Sequence, residues 1–515
     1  MLQVATKKQL DEILKLAAER KCEILESRSV YPSGRTTYYV DSENGCDNNN
    51  GLSPETAWKT LGRVTNTELG FGSVVLFRRG QIFRGTMQTQ AGVTYSAFGE
   101  GAKPELWGSI SASDPSDWIK TEYKNVWRYR DAIPHTHDIG AIFMKNDTLW
   151  GIKVCVNLVT GERCDMGRNG VSDVFNGRTK VHREPKKWNG IHDLNGDLEF
   201  WHDWKSGYLY LCCPDGNPAE AFGSVHFTPR VSIITPREWG QKDVTLDNLF
   251  LKYGNFGISG FGDSKNFTVR NCVFGCIGGA AQFPELYDET LGKPPISPNI
   301  ARLGNGAEVY GVCEDFLVEN CYFYQNYDAA VTVQVGYEVA ERDFVNINTR
   351  WVNNLFDTCH YCFELWLTIA DSNGFRHELN NTNISDNICL NCGYGWAQQR
   401  PDPGYAFYYG GSEPSSFADF NNCNLNNNYF VNGKGAIISA WHVGGSKMKF
   451  FDNKIYHNNL FGSFKENFDE SAHTLTNFSM CEKDIKIIND SGFIGQNEYY
   501  TIAESDIPEG NIIKF

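Results

Sequence analysis

One pattern recurs seven times in the second half of this chain: a short apolar or β-branched run ending in asparagine, then aromatic or cysteine-rich residues, then glycine with small apolar residues. The copies close at Asn248, Asn271, Asn320, Asn354, Asn387, Asn428 and Asn453, at intervals of 23, 49, 34, 33, 41 and 25 residues. A base period near 23, strand-forming residues and a fixed asparagine, with no helical pattern between copies, fit a right-handed parallel β-helix better than a leucine-rich repeat. In such a solenoid each turn of the chain is one rung. Equivalent positions stack about 4.8 Å apart, and buried asparagine amides can bond up and down the stack. The longer intervals then hold insertions or an extra rung.

The same register places the cysteines. Cys276, Cys359 and Cys392 follow a rung asparagine by five residues, and Cys272 and Cys321 by one, so they read as interior ladders. With 16 cysteines in 515 residues and no apolar leader, reduced core thiols are expected rather than a disulfide framework. The pairs Cys359/Cys362 and Cys389/Cys392 have the spacing of zinc ligands. The rung repeat already accounts for Cys359 and Cys392, so neither metal nor cofactor is expected.

Residues 6–21 read as one amphipathic helix, with Leu10, Ile13, Leu14 and Ala17 on one stripe and Thr6 to Gln9 spaced as a capping box. From Thr36 the chain breaks into short β-branched and aromatic runs separated by Gly, Asn and Asp, the pattern of many short strands. Residues 106–240 are denser in aromatics and carry hairpin-like runs such as 198–214, where Lys205, Ser206 and Gly207 lie between two strands. The expected organisation is all-β. An N-terminal capping helix (1–35) precedes the first coils (36–105), an inserted antiparallel β subdomain (106–240), the main β-helix (241–480) and a C-terminal coil (481–515).

Charge narrows the partners. Against 47 Lys and Arg stand 62 Asp and Glu, a net charge of −15, which argues against a nucleic-acid backbone and disfavours other anionic polymers. No run of 18 apolar residues occurs, so no transmembrane helix and no membrane partner are expected. The first 21 residues carry charges where a secretion signal has its apolar run, so a cytoplasmic location is expected unless a leader has been removed.

Four stretches point to a known family: 38–61 (YYVDSENGCDNNNGLSPETAWKTL), 72–85 (GSVVLFRRGQIFRG), 303–334 (LGNGAEVYGVCEDFLVENCYFYQNYDAAVTVQ) and 353–366 (NNLFDTCHYCFELW). The first two resemble the opening of carbohydrate-active right-handed β-helix proteins of the pectate lyase-like superfamily. The last two look like the catalytic rungs of β-helical glycoside hydrolases. The resemblance spans most of residues 36–480 and implies the fold and carbohydrate chemistry. It does not select a substrate, because the superfamily also holds lyases, epimerases and non-enzymatic coils.

The residues give their own reading of these rungs. Successive strands GAEVYG, AAVTVQ, CFELW, GWAQQ and AIISAW alternate, so Glu308, Thr332, Glu364 and Ala397 or Gln398 are expected in one outward column, with Asp328 entering from the turn before its strand. Acids so clustered repel one another and call for a reason. Glycoside hydrolysis supplies one, because it needs one carboxylic acid to protonate the leaving oxygen and one carboxylate as base or nucleophile. Tyr310, Trp366, Trp396 and Trp441 offer faces for sugar rings, and Gln334, His360, Gln398, Gln399, Arg400 and His442 offer hydrogen bonds to hydroxyls. Insertions at 284–302, 338–348, 371–378 and 400–420 leave the coil near this face and would wall a pocket, which favours exo-action on an oligosaccharide. A lyase or epimerase would need a basic residue as its base, for which Arg400 is the strongest strand candidate. A non-catalytic glycan-binding β-helix is the third reading. Glu308 and Glu364, two rungs apart, suit the wide spacing of an inverting enzyme, and Asp328 paired with either suits retention. Asp328 and Glu364 are taken as the essential pair, with Glu308 as a third acid.

Overall fold

The computed structural model describes residues 3–31, 34–157, 161–164, 172–183, 186–282, 301–335, 342–367, 375–400, 404–410, 419–434, 438–440, 449–457, 468–469, 474–475, 498–506 and 512. The chain is mostly β, and its principal sheets have, among the described residues, 13, 11 and 10 strands. From Lys242 onward the chain visits these three sheets in a fixed order. Lys242–Asp247, Phe250–Lys252 and Phe256–Ile258 make one passage, and Cys313–Glu319, Tyr322–Asn326 and Ala329–Val335 make a later one. Equivalent strands of successive passages pair in parallel. Between the sheets lies one apolar core that includes Phe274, Phe323, Phe356, Trp351 and Phe363. The rings of Phe274, Phe323 and Phe356 stack along it at 4.6 and 5.1 Å.

The bends explain the asparagines, with a correction to the register. Three columns of bend residues have left-handed backbone, with φ between 51° and 62°. One column is Asn248, Asn271, Asn320, Asn353, Asp386, Asn427 and Asp452. Asn and Asp dominate there because they tolerate this conformation better than other side chains. The next position along the chain faces inward and carries Cys272, Cys321, Asn354, Asn387, Asn428 and Asn453, all buried. The seven repeat asparagines therefore split between two adjacent columns, because Asn suits the left-handed bend for its backbone and the interior for its amide. In the interior column Asn387 Oδ1 accepts from Asn354 N (2.8 Å) and Nδ2 (3.0 Å), and Asn428 and Asn453 repeat the arrangement. Cys276 likewise lies on a bend column (φ 57°) and not in a ladder with Cys359 and Cys392. Cys359, Cys362, Cys389 and Cys392 are buried in the core, with Cys362 Sγ 3.3 Å from Cys392 Sγ. Cys22 and Cys46 are exposed.

Helix α1 spans Lys7–Glu26, longer than the sequence pattern gives, and starts on the Thr6/Gln9 capping box. It does not close an end of the stack. Leu10, Ile13, Ala17 and Ile24 pack on Val273, Tyr322, Leu355, Ile388, Val431 and Tyr456, so the helix lies lengthwise along the outer face of the 11-stranded sheet. Its length, about 30 Å, matches the rungs it crosses. Just before it, Gln3–Val4 pairs in parallel with Glu498–Thr501.

Mostly antiparallel strands between Ile110 and Pro229, with Ile152–Lys153 parallel to Glu199–His202, form a five-stranded and a four-stranded sheet around a core of their own that includes Ile142, Phe200, Leu211 and Phe227. The hairpin at Lys205, Ser206 and Gly207 joins Glu199–His202 to Leu209–Cys212. This unit docks on the parallel sheets through Ala141, Phe143 and Trp150 against Tyr253, Tyr327 and Trp396. No helix among the described residues is long and apolar enough to cross a membrane.

Candidate functional site

Four strands of the 10-stranded sheet build the acidic face: β1 (Ala307–Tyr310), β2 (Ala329–Val335), β3 (Tyr361–Leu367) and β4 (Tyr405–Gly410). Their parallel register sets Glu308, Thr332, Glu364 and Tyr408 in one column and Tyr310, Gln334, Trp366 and Gly410 in the next. Val309, Val333 and Leu365 between the columns enter the core. Neighbours in a column are about 4.8 Å apart, so the backbones of Glu308 and Glu364 are separated by about 9.6 Å. Asp328 ends the bend that leads into β2.

The acids are outward on the strand but closed off from water: Glu308, Asp328 and Glu364 are 7%, 5% and 4% exposed. Neighbouring side chains close over them. Glu364 Oε2 accepts from Thr332 Oγ1 (3.0 Å) and Gln334 Nε2 (2.6 Å). Glu308 Oε2 accepts from Asn305 Nδ2 (2.6 Å), and the other end of that amide accepts from Ala329 N (3.0 Å). Asp328 Oδ1 lies 2.5 Å from Arg400 Nη1, and the Arg400 guanidinium rests over the Tyr361 ring at 5.1 Å.

Burial sets the electrostatics. It pushes the Glu308 carboxyl from 4.5 up to about 7; the charge of Asp328 adds to this and the Asn305 amide opposes it. Glu364 is pushed up further by burial and then by Asp328, with Arg400, Gln334 and Thr332 opposing. Asp328 therefore acts on both glutamic acids. Each glutamic acid has one oxygen committed to neutral donors, which leaves the other to carry the proton when the carboxyl is neutral.

Beside the acids the tyrosines of β3 and β4 form a stack. The Tyr361 ring is 5.7 Å from Tyr405 and 4.8 Å from Tyr408, with interplanar angles of 7° and 9°. Trp366 continues it at 6.1 Å from Tyr408.

Several residues read from the sequence stand elsewhere. GWAQQ is a 3-10 helix, Gly395–Gln399, and YAFYYG supplies the strand, so Tyr408 and not Ala397 or Gln398 stacks on Glu364. Trp396 is fully buried with Phe143 at 5.0 Å and Tyr327 at 5.3 Å, which removes its face from any sugar. Gln399 is buried, donating to Gly151 O (2.8 Å) and accepting from Lys153 N (3.2 Å), and Gln398 donates to Phe175 O (3.2 Å). These three residues fasten the antiparallel unit. His360 is fully buried, with its ring 4.5 Å from Tyr361. Tyr310, Gln334, Trp366 and Arg400 do join the acidic face. Trp441 and His442 lie outside the described residues, as does most of the four insertions taken together; of the described part, Phe344–Ile347, His377–Asn380, Asp419–Asn421 and β4 are sheet strands and not inserted loop.

Tyr361, Tyr405, Tyr408 and Asn305 escape the sequence reading. The aromatic alternation of YAFYYG was the available signal, masked by taking GWAQQ as the rung strand. Among the described residues no group of three or more His, Cys, Asp or Glu is placed to hold a metal ion.

No protein-family model matches the chain, and no curated protein matches it. Among solved structures, one described as XylC in complex with xylose is 13% identical, with a TM-score of 0.43 over 82% of this chain and 69% of that one. A lacto-N-biosidase of family GH136 from Eubacterium ramulus is 12% identical, with a TM-score of 0.33 over 86% of this chain and 66% of that one. A rhamnogalacturonan lyase is 12% identical, with a TM-score of 0.31 over 83% of this chain and 74% of that one.

Proposed function

We propose that the chain is a right-handed parallel β-helix glycoside hydrolase that acts at the end of an oligosaccharide through Asp328 and Glu364, with Glu308 as a third acid. The observation that carries this reading is the burial of three carboxyls on adjacent strands beside a tyrosine stack. A buried carboxyl raised toward neutral pH next to an ion-paired carboxylate is the division of roles that glycoside hydrolysis requires.

In this reading Glu364, its Oε2 held by Thr332 and Gln334, carries a proton on Oε1 and delivers it to the glycosidic oxygen as the bond to the anomeric carbon breaks. Asp328, with the Arg400 guanidinium against it, supplies the carboxylate that attacks the anomeric carbon or activates the water that does. Glu308 holds the same field from the other side of Asp328 and keeps the proton inventory of the site high. Trp366 and Tyr405, the partly exposed members of the aromatic stack, offer ring surface to the sugar, with Tyr361 and Tyr408 buried behind them. The same ion pair argues against a lyase, because Arg400 is engaged with Asp328 rather than presented as a base.

The test is a panel of plant and host oligosaccharides and aryl glycosides, assayed for released sugar and for absorbance near 235 nm. Reducing sugar without that absorbance is expected, and the first-formed anomer by proton NMR assigns retention or inversion. Glu364→Gln and Asp328→Asn should each lower kcat by several orders of magnitude with the fold intact. Near wild-type turnover in both would place the chemistry elsewhere.

A further inference from the structure

Tyr310 stands at the end of the second column, about 12 Å at the backbone from Glu364, counting two strand spacings and two residues along a strand. It is 36% exposed. Immediately beyond it is Trp239, which is 55% exposed, a large apolar surface left in water. The indole is not loose. Its Nε1 donates to Asp263 Oδ2 (2.8 Å), and Asp263 is clamped by Arg342 through both oxygens (2.7 and 2.9 Å).

The indole also has a seat made for it. A Cβ on Gly262 would fall 2.1 Å from Trp239 and 2.2 Å from Tyr310 O, and one on Gly311 would fall 3.4 Å from Trp239. Gly262 does not have left-handed backbone, so its missing side chain answers to two close neighbours, the indole and the Tyr310 carbonyl. Gly311 N donates to Gln334 O (2.8 Å), so the seat is continuous with the strand whose Gln334 side chain holds Glu364. A rigid half-exposed ring with its polar atom already satisfied can offer only its face.

We infer that Trp239 is a stacking platform for a sugar ring remote from the cleaved bond, so that the site selects longer oligosaccharides over disaccharides. The inference rests on reading the acidic face as a sugar site. Tyr310 then bridges the platform and the acids, and Asp263 and Arg342 are positioning residues that fix the indole plane.

The test is a calorimetric titration of full-length Glu364→Gln protein with xylo-, gluco- and galacto-oligosaccharides from di- to hexasaccharide. Adding Trp239→Ala should weaken hexasaccharide binding about five- to tenfold, the range of one aromatic contact, and leave the disaccharide unchanged. Gly262→Ala, whose Cβ crowds both the indole and the Tyr310 carbonyl, should act in the same direction. Circular dichroism should show the Trp239→Ala protein folded, since the altered side chain is an exposed ring, and the readout for Gly262→Ala is taken only with the same spectrum. Equal loss at all chain lengths, no loss, or no oligosaccharide bound by the parent would overturn the inference. Length-dependent binding with no turnover by the wild type would sink the hydrolase reading and leave the platform standing.

Discussion

Glu308→Gln isolates one ionisation in the acidic face. The amide keeps an oxygen to accept from Asn305 Nδ2 and removes the proton that burial and Asp328 make hard to lose. A carboxyl raised from 4.5 to about 7 corresponds to about 3 kcal/mol between the two protonation states. Between those pH values the native state binds more protons than the unfolded chain, so wild-type stability falls as pH rises through 4.5 and levels off above about 7. The variant lacks this term. Relative to its difference from wild type at pH 4, it should gain up to about 3 kcal/mol by pH 8. Urea denaturation followed by tryptophan fluorescence, at matched pH values for both proteins, measures this directly. Asp328→Asn supplies the companion measurement, because removing the shared charge should reduce the slope that Glu308 imposes on the wild type. If the stability difference between wild type and Glu308→Gln is the same at pH 5 and pH 8, the carboxyl is not held in a penalising site and the electrostatic reading of the face fails.

Other outcomes follow from the same geometry. Arg400→Gln removes the cation that lowers the Glu364 pKa and pairs Asp328, so the alkaline limb of the pH-rate profile, set by Glu364, should move to higher pH with kcat reduced; an unmoved alkaline limb would separate Arg400 from Glu364. Asn387→Ala leaves Asn354 N without its acceptor inside the core and should cost about 3 kcal/mol, against about 1 kcal/mol for Asn320→Ala on the bend, in paired denaturation curves. Trp396→Ala opens the seam between the antiparallel unit and the parallel sheets and should cost about 3 to 5 kcal/mol, with proteolysis appearing first at that seam. Thiol titration of the native protein should find Cys22 and Cys46 reacting first, with the buried cysteines released only on denaturation.

The strand-rich stack was legible because a bend that recurs at a fixed place forces the same residue type each time. The register was less so. Asparagine suits two adjacent positions for different reasons, and nothing in one sequence says which of the two a given Asn occupies, as Asn353 and Asn354 show. Glu308, Thr332 and Glu364 could be aligned because β1, β2 and β3 follow their turns directly. The fourth strand could not, because GWAQQ has the length and aromatic content of a strand and nothing within it announces that it docks as a short helix on Gly151, Phe175, Phe143 and Gln325. Trp396 and Gln399 look like sugar ligands in sequence for the same reason: the docking surface of an inserted unit is as polar and aromatic as a binding cleft. That the acids are enclosed depended on Gln334, Arg400 and Asn305 folding over them, which strand alternation does not reveal.

A stack of similar passages ordinarily behaves as a one-dimensional chain of neighbours, free to fray from either end. Helix α1 changes that. Its apolar stripe touches strands from Val273 to Tyr456, and the segment before it pairs with Glu498–Thr501, so the first residues of the chain are bound to nearly the last. Detaching a passage between Val273 and Tyr456 then requires peeling the strap from it as well. The consequence is mechanical: pulling on the two termini loads the parallel pairing of Gln3–Val4 with Glu498–Thr501 in shear before any rung opens, and the molecule should yield in one large event rather than passage by passage.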